Sequence, residues 1–569
     1  MKGNSEKQIK QAEKRINTAH ILMFTVFIAA AVYLFLLQIQ DIRHYRQKAL
    51  NQRFSRNFTM RGQIKDSLGL RLAVDQTCYN VYAHREYFDH KPEELAEKLA
   101  DILKTNKNTL IKQLKKEAVV ILLKKDIDRD TADKIRKLGL REISLEKRSK
   151  RIYPQDELAA HVIGYYNPDA DTASGVELSA KKKLQHIDSP VSIKRTPRGD
   201  VIYDTETDPV QAAAPQIGET VTLTINSTIQ HICETELKKM IREKSALRGT
   251  VIVMNPKNGE ILAYAVYPDY NPNNYKKTPA AALKNWTLSD VYPPGSTFKT
   301  LTVAAGLESG KINVNSKILD TGKMKLGNWE IQNYDYAKRP NPGMISLVYL
   351  FEHSSNVGSA NIALMMSPSE FYNILSKLGI GSKTGIDLNG ESSGLLPKPY
   401  KWDKSRQATM GYGYGASVTA IQMASAVSAI ANGGVRVTPH VIKYSPEEEA
   451  QKVHKVQALR PETARAAAML LAQSVSHSKS PVNLEKYTVA AKTGTSRKPN
   501  ENGKGYSNNL IGSVIGFFPA DDPQVLIYVV IDSASGGAIW GNTVAAPVFR
   551  ETANQCARIL NITPDKNNV

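Results

Sequence analysis

One stretch limits every fold this chain can take. Residues 21–37 contain no charged side chain, and Thr25 is the most polar among them. Extended by Ala19, His20 and Gln38, a helix over this run measures about 30 Å, the thickness of a bilayer core. A helix satisfies its own backbone groups, so it can sit in lipid. Lys2, Lys7, Lys10, Lys14 and Arg15 precede the run, and Arg43, Arg46 and Lys48 follow it. Flanking charge therefore does not set its direction. A cleavable leader is the competing reading, with Ala29-Ala30-Ala31 as its cleavage region. The apolar run continues past Ala31, which suits an uncleaved anchor better. The expectation is one span over 19–40, a short cytoplasmic tail over 1–18, and everything else outside.

The whole chain, with 569 residues, 41% hydrophobic and 23% charged, is too long for one ordinary domain and too apolar to be disordered. A formal charge of +20 admits a polyanionic partner. No nucleic-acid motif accompanies it, so no nucleic-acid partner is expected. Lys and Arg outnumber Asp and Glu over 101–150, just after apolar residues at helical spacing (Leu95, Leu99, Ile102, Leu103). A solvated helix face and a surface toward anionic lipid or wall polymer both fit. Cys78, Cys233 and Cys556 are far apart and odd in number. They offer neither metal spacing nor a disulfide framework, and read as small buried apolar residues.

Residues 41–57 are polar and helix-compatible. From 58 to 215 the chain reads as short strands, turns and charged helices. That region ends in a loop-rich passage from Ser189-Pro190 through Thr196-Pro197-Arg198-Gly199-Asp200 to Ala212-Ala213-Ala214-Pro215. The pattern changes at about 216. Residues 220–225 alternate as a strand does, and 229–243 have helical spacing. Residues 250–254 and 260–266 flank the turn Pro256-Lys257-Asn258-Gly259 as a hairpin. A helix-rich middle includes 418–432, stopped by Gly433-Gly434. Three more strands (488–491, 511–518, 525–532) and a last helix (548–560) follow. This order predicts an antiparallel sheet with helices on both sides, in a chain of mixed α+β and α/β character.

Three short motifs follow one another in the second half: Ser296-Thr297-Phe298-Lys299, Ser354-Ser355-Asn356 and Lys492-Thr493-Gly494-Thr495. Pro293-Pro294-Gly295 leads into the first, and 297–308 have helical spacing. Ser296 thus opens a helix, where free N–H groups and the dipole favour negative charge. Lys299 lies on the same face. A serine hydroxyl needs a base, and a lysine serves only if burial or a second cation lowers its pKa. Lys492 is available as that cation. Ser-x-x-Lys alone is common; it recurs from Ser144, Ser179 and Ser476, without the Pro-Gly lead-in. Ser354 could relay a proton and Asn356 could hold a peptide amide, although both types are ordinary helix caps. On a strand edge Lys492 and the Thr495 hydroxyl suit a carboxylate, and Gly494 admits a ligand to the backbone. A plain strand end is the alternative. Lys383-Thr384-Gly385 lacks a preceding strand and is discounted. Together the trio supplies what acyl transfer needs at a peptide ending in a free carboxylate.

In this order the motifs resemble the signature of penicillin-binding proteins and class A β-lactamases. The likeness to class B penicillin-binding proteins covers nearly the whole chain. Arg61-Gly62-Gln63-Ile64-Lys65-Asp66-Ser67-Leu68-Gly69-Leu70-Arg71-Leu72-Ala73 resembles the motif that opens their non-catalytic pedestal, with Ser67-Leu68 where Arg-Asn is usual. Arg151-Ile152-Tyr153-Pro154 and Gly175-Val176-Glu177 resemble further pedestal motifs. No glycosyltransferase domain fits between anchor and pedestal, unlike class A. Ser354-Ser355-Asn356-Val357-Gly358 and Gly411-Tyr412-Gly413-Tyr414-Gly415 resemble division-type enzymes more than elongation-type ones.

The resemblance implies a transpeptidase domain over 216–560, with a five-stranded antiparallel sheet flanked by helices. It stands on an elongated, dimerisation-type pedestal over 41–215, and 561–569 form a tail. The implied reaction is D,D-transpeptidation of peptidoglycan stem peptides, with neither cofactor nor metal. Ser296 attacks the D-Ala-D-Ala carbonyl and Lys299 takes its proton. Ser354 with Lys492 passes the proton to the departing D-Ala, before an acceptor amine takes the acyl group. Backbone N–H groups of Ser296 and Thr495 hold the oxyanion, while Asn356, Thr493, Gly494 and Thr495 bind substrate. β-Lactams would acylate Ser296. The implied setting is the bacterial plasma membrane, single-pass, with the body extracytoplasmic. Implied partners are a membrane glycosyltransferase of the shape-and-division family and other division proteins. A D,D-carboxypeptidase or β-lactamase is one rival; no Glu-x-x-Leu-Asn segment lies between the second and third motifs, and Glu370-Phe371-Tyr372-Asn373 has the wrong spacing. A non-catalytic β-lactam sensor or division scaffold is the other.

Overall fold

The computed structural model describes residues 14–35, 54–56, 59–185, 192–195, 201–202, 216–327, 329–478, 480–500, 505–535 and 537–566. Helix α1 (Lys14–Phe35) is long and apolar enough to cross a membrane, and none of the other described residues buries it. The rest of the expected span, like 41–53, lies outside the described residues. The end of the helix-compatible stretch is instead a strand, Phe54–Arg56, antiparallel to Ser192–Arg195. The passage read as loop contributes that strand and Val201–Ile202, which pairs with it. Backbone pairing outweighs local turn signals there.

The chain divides into two compact units. One gathers residues 1–60, 146–148 and 187–217; the other gathers 61–145, 149–186 and 218–569 and holds everything that follows.

In the larger unit β1 (Ile64–Lys65), β2 (Arg71–His84), β3 (Val120–Ile127) and β4 (Val221–Thr222) form a sheet in the order β4-β1-β2-β3. The alternation at 220–225 thus yields a two-residue strand, parallel to β1. Helices α2 (Pro92–Ala100) and α3 (Lys107–Leu114) turn Leu95, Leu99, Leu110 and Leu114 onto Val81, Ala83, Ile121 and Leu123. Lys107, Lys112, Lys115 and Lys116 remain exposed, so this part of the basic stretch is the solvent side of an amphipathic layer.

A buried ion cluster ties this region together. Glu177 is fully buried and accepts from Arg61 Nε (2.6 Å) and Arg151 Nε (2.6 Å). Arg151 Nη1 also donates to Asp75 Oδ1 (3.1 Å) and to Gly62 O (2.8 Å). Removing one partner from such a cluster leaves uncompensated charge in a dry site. Glu177→Ala is expected to cost about 3–5 kcal/mol. Urea unfolding of the detergent-solubilised protein checks this; a loss below about 1 kcal/mol would mean the arginines find other partners.

The second half builds α4 (Ser227–Glu243), capped by Asn226, then the hairpin β5 (Arg248–Met254) and β6 (Ile261–Tyr267). Helix α5 (Lys299–Glu308) follows, then the small hairpins that contain β7 (Lys317–Asp320), β8 (Lys323–Leu326), β9 (Trp329–Gln332) and β10 (Gly343–Ser346). After α6 (Asn356–Met365), α7 (Ala420–Ala431) and α8 (Pro461–His477) come β11 (Ala490–Pro499), β12 (Tyr506–Phe518) and β13 (Val525–Asp532). Helix α9 (Ala546–Ile559) closes the fold. The strands form one sheet, β6-β5-β13-β12-β11, antiparallel throughout. Strand β13 is buried along its whole length because alternate residues feed two cores. Ile527 and Val529 meet Cys233 of α4 and Phe549 and Cys556 of α9, whereas Leu526, Tyr528 and Val530 join the core of Phe298, Leu301 and α7. Cys78, Cys233 and Cys556 are all buried, as the sequence suggested. Strand β11 is left at the edge, beside the turn that carries Ser296.

Candidate active site

Ser296 lies in a single 3-10 turn, Gly295–Phe298, and the α-helix begins only at Lys299. The expected helix start is therefore one tighter turn. Gly295 makes that turn possible. Its φ is +58°, and a Cβ there would lie 2.9 Å from the Ser496 Cβ of β11. Its N–H donates to Gly413 O (3.2 Å), and a Cβ on Gly413 would lie 2.2 Å from Gly295 O. The Gly-Tyr-Gly-Tyr-Gly run thus clamps the serine turn from one side while β11 bounds the other. Thr302 Oγ1 adds a bond to Gly411 O (2.8 Å).

Lys299 is completely buried. Its Nζ donates to Asn356 Oδ1 (2.7 Å), to Ser354 Oγ (3.0 Å) and, more closely still, to Ser354 O. Burial, and secondly the positive charge of Lys492, hold its pKa well below the ordinary lysine value; Asp320 and Asp335 pull the other way. Lys492 is buried as well, which lowers it to about 8.

Ser354 has φ +50°, rare for a residue with a Cβ. That conformation turns the chain between the helix Leu347–Glu352 and α6, so that both its carbonyl and its hydroxyl face Lys299. Its neighbour Ser355 is the N-cap of α6 and accepts from Gly358 N (2.8 Å). Asn356 donates its Nδ2 to Gln332 O (2.8 Å), which orients Oδ1 toward the lysine. Of the sequence-named residues, Lys299, Ser354 and Asn356 are brought into direct contact.

The third motif lies inside β11 rather than after a strand ending at 491. Buried and half-buried residues alternate there from Lys492 to Ser496, and most on both sides are polar, which hides the strand from a search for apolar runs. Lys492 and Gly494 occupy one side, and Thr493 and Thr495, half-buried, occupy the other. A Cβ on Gly494 would lie 2.9 Å from Thr297 Cγ2, so glycine lets β11 press against the serine turn. Thr495 Oγ1 accepts from Gly541 N (3.1 Å). The decoy at Lys383 is distinct: Thr384 N donates to Glu391 (2.6 Å) in a loop.

Three residues that no motif contains complete the site: Asp320, Gln332 and Asn333. Asn333 Oδ1 accepts from Asn356 N (2.8 Å) and Val357 N (3.1 Å), and its Nδ2 donates to Asp320. Their only signal in the sequence is Asp320-Thr321-Gly322, a turn like many others.

A serine on a tight turn, a fully buried lysine beside a second lysine, and a hydroxyl on that lysine define a serine acyltransferase of the Ser/Lys kind. Residues 249–554 match the penicillin binding protein transpeptidase domain, and residues 57–223 match the penicillin-binding protein dimerisation domain. The chain belongs to the penicillin-binding proteins, as a class B D,D-transpeptidase. It is 30% identical to the probable peptidoglycan D,D-transpeptidase PbpC of Pseudomonas aeruginosa, covering 97% of each chain. It is 31% identical to the peptidoglycan D,D-transpeptidase FtsI of Escherichia coli K12, over 89% of this chain and 85% of that one. Among solved structures, penicillin binding protein 2X of Streptococcus thermophilus shares the fold, with a TM-score of 0.70 and 24% identity over 90% of this chain and 81% of that one.

Proposed function

We propose that the protein cross-links peptidoglycan stem peptides in septal wall synthesis through an acyl-enzyme on Ser296. The observation that carries the reading is the seating of Lys299. A neutral amine has two N–H groups and one lone pair. Ser354 O and Asn356 Oδ1 can only accept, so they take the two N–H groups. The lone pair is left for a hydroxyl. Ser296, on the 3-10 turn that leads into Lys299, gives up its proton to it as it attacks the D-Ala-D-Ala carbonyl. Ser354 Oγ, 3.0 Å from Nζ, offers the route by which that proton reaches the departing D-Ala, with Lys492 as the second cation. The N–H groups of Ser296 and Thr495 serve the oxyanion. Lys492, Thr493, Gly494 and Thr495 form the edge for the terminal carboxylate, and Asn356 meets the peptide amide.

The family match and the relatives' names support peptidoglycan as substrate and β-lactams as inhibitors. The FtsI relative favours division over elongation. In this reading 19–40 anchor the protein in the plasma membrane, 1–18 are cytoplasmic, and 41–215 form the pedestal. Residues 216–560 form the transpeptidase domain, with 561–569 as a tail, outside the membrane. A glycosyltransferase of the shape-and-division family docks along the anchor and pedestal.

Full-length protein in detergent, labelled with a fluorescent penicillin and sequenced by peptide mass spectrometry, tests the chemistry. The adduct is expected on Ser296 and should persist for minutes or longer, because deacylation by water needs a positioned base and no Glu-x-x-Leu-Asn segment lies between the second and third motifs. Release within seconds would favour a hydrolase, and an adduct on another side chain would end the assignment.

A further inference from the structure

The loop that seats Lys299 is itself held by a carboxylate outside every motif. We propose that Asp320 is a positioning residue for acyl transfer, fixing the 354–356 loop against Lys299 and supplying the negative charge that balances Lys492. The proposal rests on the reading of Lys299 as the base.

Asp320 ends β7 and is completely buried. Asn333 Nδ2 donates to both of its oxygens at 2.9 Å, Gly322 N to Oδ1 at 2.8 Å, and Ser355 Oγ to Oδ2 at 2.6 Å. Every one of these neighbours donates, so the group accepts on all sides. Such charge-assisted bonds are short and directional. They commit the Ser355 proton to Asp320 and leave the Ser355 lone pair for Gly358 N, the start of α6. They also turn Asn333 so that its carbonyl takes the N–H groups of Asn356 and Val357. Gln332 O, next along the chain, takes Asn356 Nδ2. The loop is therefore gripped at Ser355, at the Asn356 backbone and at the Asn356 side chain, and each grip leads to Asp320 or to the strand end beside Asn333.

The charged groups that bear on Lys299 are Lys492 from β11, Asp320 from β7, and Asp335 just beyond β9. Asp335 is engaged by Arg339 Nη1 at 2.8 Å and has His353 Nδ1 at 3.8 Å. Among the described residues the contacts of Asp320 are all neutral donors, so its field is left for the lysine.

The test is the pH profile of penicillin acylation, measured per titratable active site on the full-length protein. Wild-type rates should rise with pH along an acid limb as Lys299 loses its proton. Asp320→Asn removes the charge and sets an amide N–H against the Asn333 amide. It should slow acylation by roughly 10- to 100-fold. With its anion gone, Lys299 holds its proton less firmly, so the acid limb should move to lower pH. Ser355→Ala keeps the charge and loosens one grip; it should slow acylation by about tenfold with the limb unmoved. A merely structural Asp320 would lower the melting temperature and leave both the rate per site and the limb unchanged, which overturns the proposal. Should Asp320→Asn fail to fold, Ser355→Ala acylating at the wild-type rate overturns it instead. A wild-type profile with no acid limb overturns the base reading, and the proposal with it. A limb that is present but unmoved in Asp320→Asn overturns the proposal alone.

Discussion

Ser296→Ala abolishes the penicillin adduct and leaves the fold intact. The acylation rate is expected to fall by at least about 10⁴-fold, because a covalent route without its nucleophile has no partial form. The turn survives the change. Gly295 still takes its positive φ, Thr297 Oγ1 still donates to Pro294 O (2.8 Å), and Gly413 still accepts from Gly295 N. A half-buried serine without a packing role should shift stability by no more than about 0.5 kcal/mol. Intact-protein mass spectrometry after labelling reads the first effect, and a thermal melt reads the second. Replacing the native gene with the variant adds a biological arm. A catalyst gives no growth, whereas full rescue would mean that the anchor and pedestal act as a scaffold and the pocket is incidental.

How much of this was legible in the chain depended on whether the signal was local. Strand 525–532 is found where the sequence places it, because a strand buried on both faces reads as an unbroken apolar run. The helix expected over 418–432 forms as Ala420–Ala431, with Thr419 and Gln422 completing a reciprocal cap before it and the glycines after it. The third motif was legible as chemistry and as an edge strand, but not in the strand's extent, since only the pairing with β12 reveals that β11 runs on past 495. The segment 220–225 showed its alternation and hid its partner, Ile64–Lys65, which lies far away in sequence. At the site, Lys492 could be named as the second cation from the motif alone. Burial, the larger cause of the depressed Lys299 pKa, needs the assembled fold. Ser355 and Asn356 show why cap and site compete as readings: Ser355 caps α6 while the residues on either side of it hold the lysine. Asp320 and Asn333 were beyond reach. They meet Ser355 across a hairpin, and no spacing encodes that meeting.

Lys299→Arg separates a base from a mere cation, and it should be the most damaging conservative change in the protein. Arginine keeps its proton at any pH the protein survives, and its planar fork needs more room than an ammonium. The Lys299 pocket offers no such room: the side chain is fully buried, and its three acceptors converge on one nitrogen. A permanent charge there also faces Lys492 without relief, whereas lysine escapes the repulsion by losing its proton. Acylation should fall by about 10³-fold, the usual span of a lost general base. Overfilling the site should cost a further 1–3 kcal/mol of stability, roughly the penalty for an overpacked core. The pH profile carries the discrimination. If Lys299 works by accepting the Ser296 proton, raising the pH toward 10 restores nothing in the arginine variant. If instead the lysine served only as a positive charge, the variant would stay within about tenfold of wild type and the wild-type rate would climb as the pH falls. The depressed pKa and the paired carbonyl acceptors predict the first outcome.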